Sequence, residues 1–147
     1  MLGENESNDF NKFTQANHSV FKNLKHFRFY CNWIRKPNPL LFSTIMAVLD
    51  GCQENLVKFE LEFYNFSDFE EIVDFICTKT MPLKLISFRY VKFFTNIDLM
   101  RIAKLNISVE QDIMIEKCWK ITRRGIEAAL LYIEQNDLKK KIVQDIF

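Results

Sequence analysis

The stretch that decides the fold is "LVKFELEFY", Leu56–Tyr64, because its pattern returns 27 residues later as "LKLISFRYV", Leu83–Val91. In both copies the first, fourth and sixth residues are apolar, and Asn, Tyr, Val or Cys is expected at the ninth position. A fixed period of this length indicates a repeat architecture, in which each unit buries its apolar face against its neighbours.

Further copies flank these two. The same 27-residue step leads from Ile86 to Ile113 and from Val91 to Cys118. In the segments that follow the copies, Ile72, Leu99 and Ile126 are also 27 residues apart. An earlier copy is "LKHFRFYCN", Leu24–Asn32, which precedes Leu56–Tyr64 by more than one period. The five extra residues are assigned to "RKPNP", Arg35–Pro39, whose prolines predict a loop insertion.

Each unit predicts a strand followed by a helix. The alternating apolar residues of each copy favour a short strand, and the spacing of Leu99, Ile102 and Ala103 favours a helix. Ser67 in "SDFE" and Thr95 in "TNID" begin the Ser/Thr-x-x-acid pattern of a helix N-cap. We therefore expect an α/β fold of about four strand–helix repeats, with a parallel sheet on one side and helices on the other.

The motif "CWKITRRGI", Cys118–Ile126, resembles the cysteine-containing leucine-rich repeat of F-box proteins, the substrate receptors of adaptor–cullin ubiquitin ligases. "VKFFTNIDL", Val91–Leu99, is a looser copy of it. The similarity covers residues 21 to 133 and is nearest to the large, divergent fungal-type sets. It implies a ribonuclease-inhibitor-like solenoid with the strands on the concave side and the helices on the convex side. Cys118 is then expected to be a buried residue of the ladder formed by successive turns.

The chain divides into three predicted parts. Residues 1–20 are expected to be a polar, disordered leader, too short and too polar to form the F-box that would precede the repeats. Residues 21–134 form the leucine-rich-repeat domain. Residues 135–147 are predicted to be a C-terminal cap, either an eroded fifth strand or a short helix, because terminal repeats must shield an edge.

Composition argues against several functional classes. The chain carries 20 basic and 19 acidic residues without a basic stripe, which disfavours a nucleic-acid partner. Three glycines and two histidines leave no phosphate-binding loop and little His-dependent chemistry, so we expect no enzyme activity, cofactor or metal. Four scattered cysteines, no secretory signal and no apolar run of roughly 18 residues favour a cytoplasmic or nuclear protein without a membrane segment.

The candidate binding residues lie between the buried strand positions, on the expected concave face. They are Arg28, Tyr30, Lys58, Glu60, Glu62, Arg89, Tyr90, Met114 and Glu116. Their charges permit two interpretations: cross-strand ion pairs, with Arg28 beside Glu60 and Glu62 near Arg89, or a protein-binding patch anchored by Tyr30 and Tyr90. Trp33 and Trp119 hold equivalent positions and are expected to be packed or half-buried at repeat corners.

These features predict a protein–protein recognition module. The resemblance implies the substrate-recognition part of an F-box-type ubiquitin ligase receptor, which would engage the adaptor–cullin ligase only if an F-box lies upstream. The alternative is a stand-alone leucine-rich-repeat scaffold or inhibitor-like binding protein with no ubiquitin-ligase role. In both cases the partner is a protein that binds the concave face.

Overall fold

The computed structural model describes residues 21–31 and 39–145, in which strands and helices alternate along the chain. The elements are β1 (His26–Tyr30), α1 (Pro39–Cys52), β2 (Lys58–Glu62), α2 (Phe69–Thr78), β3 (Leu85–Arg89), α3 (Asn96–Ala103), β4 (Gln111–Glu116), α4 (Arg123–Gln135) and β5 (Lys140–Asp145). The predicted leader, Trp33 and most of the predicted loop insertion lie outside these residues. The protein is an α/β fold, as the sequence predicts.

The five strands form one parallel sheet in the order β1-β2-β3-β4-β5. Phe59 lies opposite Ile86, and Ile86 lies opposite Ile113, so these neighbouring strands are paired exactly one period apart. Phe27 lies opposite Phe59, which matches the longer offset of the first copy. The sheet register therefore reproduces the spacings found in the sequence.

The helices bury the positions that the period predicts. Ile72, Leu99 and Ile126 are 0%, 0% and 2% exposed in successive helices, which confirms the alignment of the helical segments. The core lies between these helices and the face of the sheet that carries residues such as Phe59 and Phe88. Burying a large apolar side chain contributes about 1.5–3 kcal/mol, so this layer supplies most of the stability.

Aromatic rings fill the space between sheet and helices. Phe88 contacts Phe69 edge-on with ring centroids 5.0 Å apart, and it contacts Phe94 with centroids 4.8 Å apart. Phe59 and Phe88 are fully buried, as expected for core positions. Three further phenylalanines are partly buried and pack against this core; they are Phe27, Phe29 and Phe75.

Helix α3 begins with the capping box that the sequence predicts. The Thr95 side chain accepts a hydrogen bond from the Asp98 backbone N–H at 3.3 Å. In return the Asp98 carboxylate accepts one from the Thr95 backbone N–H at 3.1 Å. Two backbone donors at the start of the helix are thereby satisfied.

Helix α2 begins differently, and the predicted cap at Ser67 is wrong. The N-cap is Asp68, one residue later, and it makes no side-chain capping hydrogen bond. Its carboxylate instead accepts a hydrogen bond from the Tyr64 hydroxyl. Glu70 and Glu71 lie in the first turn, where carboxylates interact favourably with the helix dipole.

Two segment boundaries are refined by the structure. Pro39 is the first residue of α1, a position that proline favours, so it does not belong to the predicted loop insertion. At the other end, the C-terminal segment forms strand β5, one of the two forms that the sequence left open. It pairs with β4 along Gln111–Glu116.

Candidate functional site: the open face of the sheet and its aromatic edge

The open face of the sheet is the face opposite the core, formed by the strand residues that alternate with the buried ones. Eight of the nine predicted binding residues lie on this face, and Tyr90 follows the end of β3. Exposure differs among the nine. Arg28, Tyr30, Lys58 and Met114 are exposed; Glu60, Arg89, Tyr90 and Glu116 are half-buried; Glu62 is only 7% exposed.

Ion pairs join β1 to β2 across the open face. The Arg28 guanidinium donates to the Glu62 carboxylate, and the His26 ring contacts the Glu60 carboxylate. Arg28 and Glu60 lie opposite each other in the register, as expected, but Arg28 forms its ion pair with Glu62. A long arginine side chain reaches diagonal neighbours on a sheet, and here it reaches the more buried carboxylate.

A third ion pair joins β3 to β4. Arg89 Nη2 donates to Glu116 Oε1 at 2.9 Å, and Arg89 Nε lies 2.9 Å from Glu116 Oε2. Glu62 and Arg89 also lie opposite each other, as expected, but Arg89 forms its ion pair with Glu116 and Glu62 forms its pair with Arg28, so the expected cross-strand ion pairs are present with other partners. Ion pairs between partly exposed side chains contribute little to the stability of the fold.

Four aromatic side chains form a continuous row at the carboxyl ends of the strands, which we call the aromatic edge: Tyr30, Phe63, Tyr90 and Trp119. The Tyr30 and Phe63 ring centroids are 5.3 Å apart in an edge-to-face contact. The Phe63 and Tyr90 rings are stacked, with centroids 4.4 Å apart and planes 5° apart. Tyr90 then meets Trp119 edge-on at 6.4 Å. The row crosses the strand ends from β1 to the loop after β4.

An unusual backbone conformation supports the aromatic edge. Phe63, Tyr90 and Lys117 each follow a strand by one residue, and their φ angles are 57°, 54° and 51°. The Phe63 N–H donates to the Arg89 carbonyl, and the Tyr90 N–H donates to the Glu116 carbonyl, both at 2.9 Å. Left-handed backbone at a bulky residue costs about 1–3 kcal/mol, and such strain concentrates at functional sites.

Two members of the aromatic edge differ from expectation. Trp119 is 64% exposed, so its predicted packing at a repeat corner is wrong. It lies in the loop between β4 and α4, where its ring meets the edge of the Tyr90 ring and leaves most of its surface in solvent. Phe63 is absent from the predicted binding residues, although it precedes Tyr90 by one 27-residue period, which could have identified it.

Basic side chains flank the Trp119 end of the row. The Lys120 ammonium lies 4.7 Å from the Phe93 ring centroid, and the Lys92 ammonium lies 5.7 Å from the same centroid. Lys120 directly follows Trp119 in the chain. The Arg89 guanidinium is 6.0 Å from the Tyr90 ring. Lys92 and Phe93 thus follow Tyr90 in the chain, and Lys120 follows Trp119, so these groups lie in the segments that carry that end of the row.

Cys118 belongs to the interior of the fold. It is buried, and its thiol donates to the Phe88 carbonyl of the neighbouring strand at 3.4 Å, which confirms the predicted burial and contact with neighbouring backbone. Burial raises the pKa of the Cys118 thiol to about 11, although backbone hydrogen bonds lower it in part. The thiol is therefore protonated at neutral pH and is a poor nucleophile.

A separate polar site lies at the amino ends of β4 and β5. It surrounds a cavity of about 280 Å³ that Gln111 and Lys140 help to line. The Lys140 ammonium donates to the Ile102 carbonyl at 2.7 Å and to Gln111 Oε1 at 2.8 Å. Gln111 Nε2 donates in turn to the Leu83 carbonyl at 3.0 Å. These hydrogen bonds connect β5 to the two preceding strand–helix units. Burial lowers the pKa of the Lys140 ammonium to about 8.

Two further kinds of site are absent from the described part of the chain. Its His, Cys, Asp and Glu side chains form no group of three or more that could hold a metal ion. None of its helices has both the length and the apolar composition needed to cross a bilayer. The principal candidate site is therefore the open face with its aromatic edge.

This chain matches no family model, no curated protein and no solved structure.

Proposed function

We propose that this chain is a protein-recognition module whose partner binds the open face of the sheet along the aromatic edge. The observation that carries the proposal is the row of four contacting aromatic rings, of which Tyr30 is 48% and Trp119 64% exposed. Aromatic residues dominate the binding energy of protein interfaces.

The finer proposal is a leucine-rich-repeat solenoid that serves as the substrate-recognition part of an F-box-type ubiquitin ligase receptor in the cytoplasm or nucleus. The sheet register, which follows the sequence period, and the burial of Cys118 support the repeat class. The motif Cys118–Ile126 supports the F-box family by resemblance. This role requires an F-box joined to the repeats, and the chain itself would bind substrate without catalysing a reaction.

The alternative proposal is a stand-alone scaffold or inhibitor-like binding protein. It is supported by the location of the recognition surface, since the open face and the aromatic edge are built wholly from the repeated strand–helix units. The two proposals share the same partner site. They differ in whether the ligase adaptor is found in the complex.

Affinity capture with matched variants tests the recognition surface. Tagged protein would be compared with the variant Tyr30→Ala/Trp119→Ala on the aromatic edge and with Glu71→Ala/Lys104→Ala, two exposed positions on the helix side. Loss of an interface aromatic costs about 1–3 kcal/mol, so the first variant should recover at least fivefold less of a specific partner. The second variant should recover as much as the wild type.

Thermal unfolding of all three proteins controls for loss of structure. If the aromatic-edge variant recovers as much partner as the wild type and the helix-side variant recovers less, the recognition surface lies on the helix side and the proposal is wrong. Recovery of the ligase adaptor with the native, full-length gene product distinguishes the receptor from the stand-alone protein. If the full-length product captures a partner without the adaptor, the ligase role is wrong and the recognition role stands.

A further inference from the structure

We infer that the partner presents an acidic, extended segment with an aromatic or large apolar anchor, and that this segment binds along the aromatic edge with its carboxylates at the Trp119 end. This inference rests on the proposed function and adds the chemistry of the partner. It follows from the distribution of paired and solvent-facing charges around the four rings.

Arginines on the open face and lysines beside Trp119 have different neighbours: the arginines contact carboxylates, and the lysines contact an aromatic ring. On the face, the exposed cation Arg28 is held by Glu62, and Arg89 is held by Glu116. At the Trp119 end, the ammonium groups of Lys92 and Lys120 both lie over the ring of Phe93, at 5.7 Å and 4.7 Å from its centroid. The phenyl ring of Phe93 attracts each ammonium group but carries no negative charge that would balance the positive charge.

Two like charges beside one ring repel each other, and a nearby anion would reduce that repulsion. Further cations lie in the same loop and at the start of α4: Lys117, Arg123 and Arg124. Of these, Arg123 pairs with Glu127 at 3.0 Å. These cations lie next to the most exposed ring of the row, Trp119, while Glu70 and Asp98 line a cavity together with Phe93.

This combination matches a peptide better than a polyphosphate. The rings of Tyr30 and Trp119 can anchor apolar side chains, and the lysines can steer carboxylates. The same face carries Glu60, Glu62 and Glu116, and the whole chain has a net charge of only +1. A nucleic acid would meet these carboxylates with its continuous negative charge, whereas a peptide can place its acidic residues locally.

Selection from a phage-displayed library of random 12-residue peptides tests the inference on the folded protein. The selected peptides should be enriched in Asp or Glu together with Trp, Phe, Tyr or Leu. Their affinity should fall about tenfold or more for Lys92→Glu/Lys120→Glu and for Trp119→Ala. The matched control is Lys25→Glu/Lys84→Glu, which makes the same charge change at two exposed lysines preceding β1 and β3.

Each other outcome overturns the inference in a distinct way. If the selected peptides are neutral or basic and still require Trp119, the aromatic edge binds peptides without a preference for acidic ones. The inference is then wrong, and the proposed function is unaffected. An equal loss of affinity with both lysine variants would show nonspecific attraction, and a selection without enrichment would show that the edge binds no linear segment. A 12-nucleotide single-stranded DNA that binds more tightly than the peptides, and loses affinity in Lys92→Glu/Lys120→Glu, would make the edge a nucleic-acid surface.

Discussion

The rings of Phe63 and Tyr90 are stacked 4.4 Å apart and nearly parallel, and both residues hold left-handed backbone at the same position of successive repeats. Their separation of 27 residues is the period of the fold itself. The stack therefore links the repeat geometry to the candidate binding surface. It supports Tyr30 on one side and Trp119 on the other, the two rings with most surface in solvent.

The first prediction concerns the energy of this stack. Phe63→Ala and Tyr90→Ala should each destabilise the protein, and the double variant should lose less than the sum of the two. The expected coupling is about 0.5–1.5 kcal/mol, the usual value for a contacting aromatic pair. Equilibrium unfolding in urea of the wild type, the single variants and the double variant measures it.

The control for the stack pairs Phe63→Ala with Tyr132→Ala. Tyr132 lies on α4 beside Lys104, on the helix side. Distant sites add within about 0.3–0.5 kcal/mol, so this second cycle should show no coupling beyond that range. Equal coupling in the two cycles would mean that the stack contributes nothing specific.

The second prediction concerns Gly125 in the first turn of α4. A Cβ atom at this position would lie 2.0 Å from Asn96 Oδ1. That oxygen accepts a hydrogen bond from the Thr122 N–H at 3.0 Å, and Asn96 Nδ2 donates to Thr122 Oγ1 at 2.9 Å. Gly125→Ala should therefore destabilise the protein by about 0.5–1 kcal/mol, because the loss of the Asn96 hydrogen bonds to Thr122 outweighs the better helix propensity of alanine.

The matched variants are Asn96→Ala and Asn96→Ala/Gly125→Ala, measured by thermal or urea unfolding. Once Asn96 is truncated, the added methyl group has space, and the change at Gly125 should become neutral or stabilising by up to about 1 kcal/mol. If Gly125→Ala is equally harmful with and without Asn96, then contact with this side chain is not the reason for glycine.

The third prediction concerns the pH dependence of stability. The pKa of Lys140 is lowered by burial from 10.5 to about 8 in the folded protein. Between about pH 8 and 10.5 the unfolded chain therefore binds more protons at this residue than the folded protein does. The contribution of Lys140 therefore makes the free energy of unfolding increase with pH through this window. Below about pH 8 the contribution of Lys140 does not change with pH.

Lys140→Met isolates this effect, because other groups also titrate in the window. The stability of wild type relative to Lys140→Met should rise as pH increases from 8 to 10.5, measured by urea unfolding at each pH. Lys139→Met, at the exposed neighbouring position, is the control for the lost charge. A difference between wild type and Lys140→Met that does not change with pH would contradict the burial of the ammonium group.

The fourth prediction concerns the four cysteines. Cys118, with its pKa raised to about 11, should resist iodoacetamide at pH 8 until the protein unfolds. Cys77 is the most accessible of the four, since Cys31, Cys52 and Cys118 are buried. Peptide mapping by mass spectrometry should therefore show Cys77 modified first. Native labelling of Cys118 as fast as in guanidinium would show that it is not a buried ladder residue.

The sequence predicts those features of the fold that follow from the 27-residue period. It does not predict those features of the site that depend on local side-chain and backbone geometry. The register of the sheet and the burial of Ile72, Leu99 and Ile126 follow from periodicity, because parallel strands of identical units must align. Ion-pair partners do not follow, since Arg28 and Glu60 are opposite in register but the side chain of Arg28 reaches Glu62.

The aromatic edge shows the same limit. Trp33 and Trp119 share a repeat position, yet a shared position does not predict exposure, and Trp119 is 64% exposed. Phe63 fits the pattern of an apolar strand residue, but its left-handed backbone places its ring against Tyr30 and Tyr90. Spacing alone does not reveal such a conformation in a residue other than glycine.

The central claim is that the partner lies on the open face of the sheet, and site-specific photo-crosslinking tests it most directly. The photoreactive residue p-benzoylphenylalanine would replace Met114, exposed on the open face, or Leu131, exposed on α4, in the presence of a captured partner. We expect a covalent product with the partner from position 114 and none from position 131. A product from position 131 with none from position 114 would contradict the claim and place the partner on the helices.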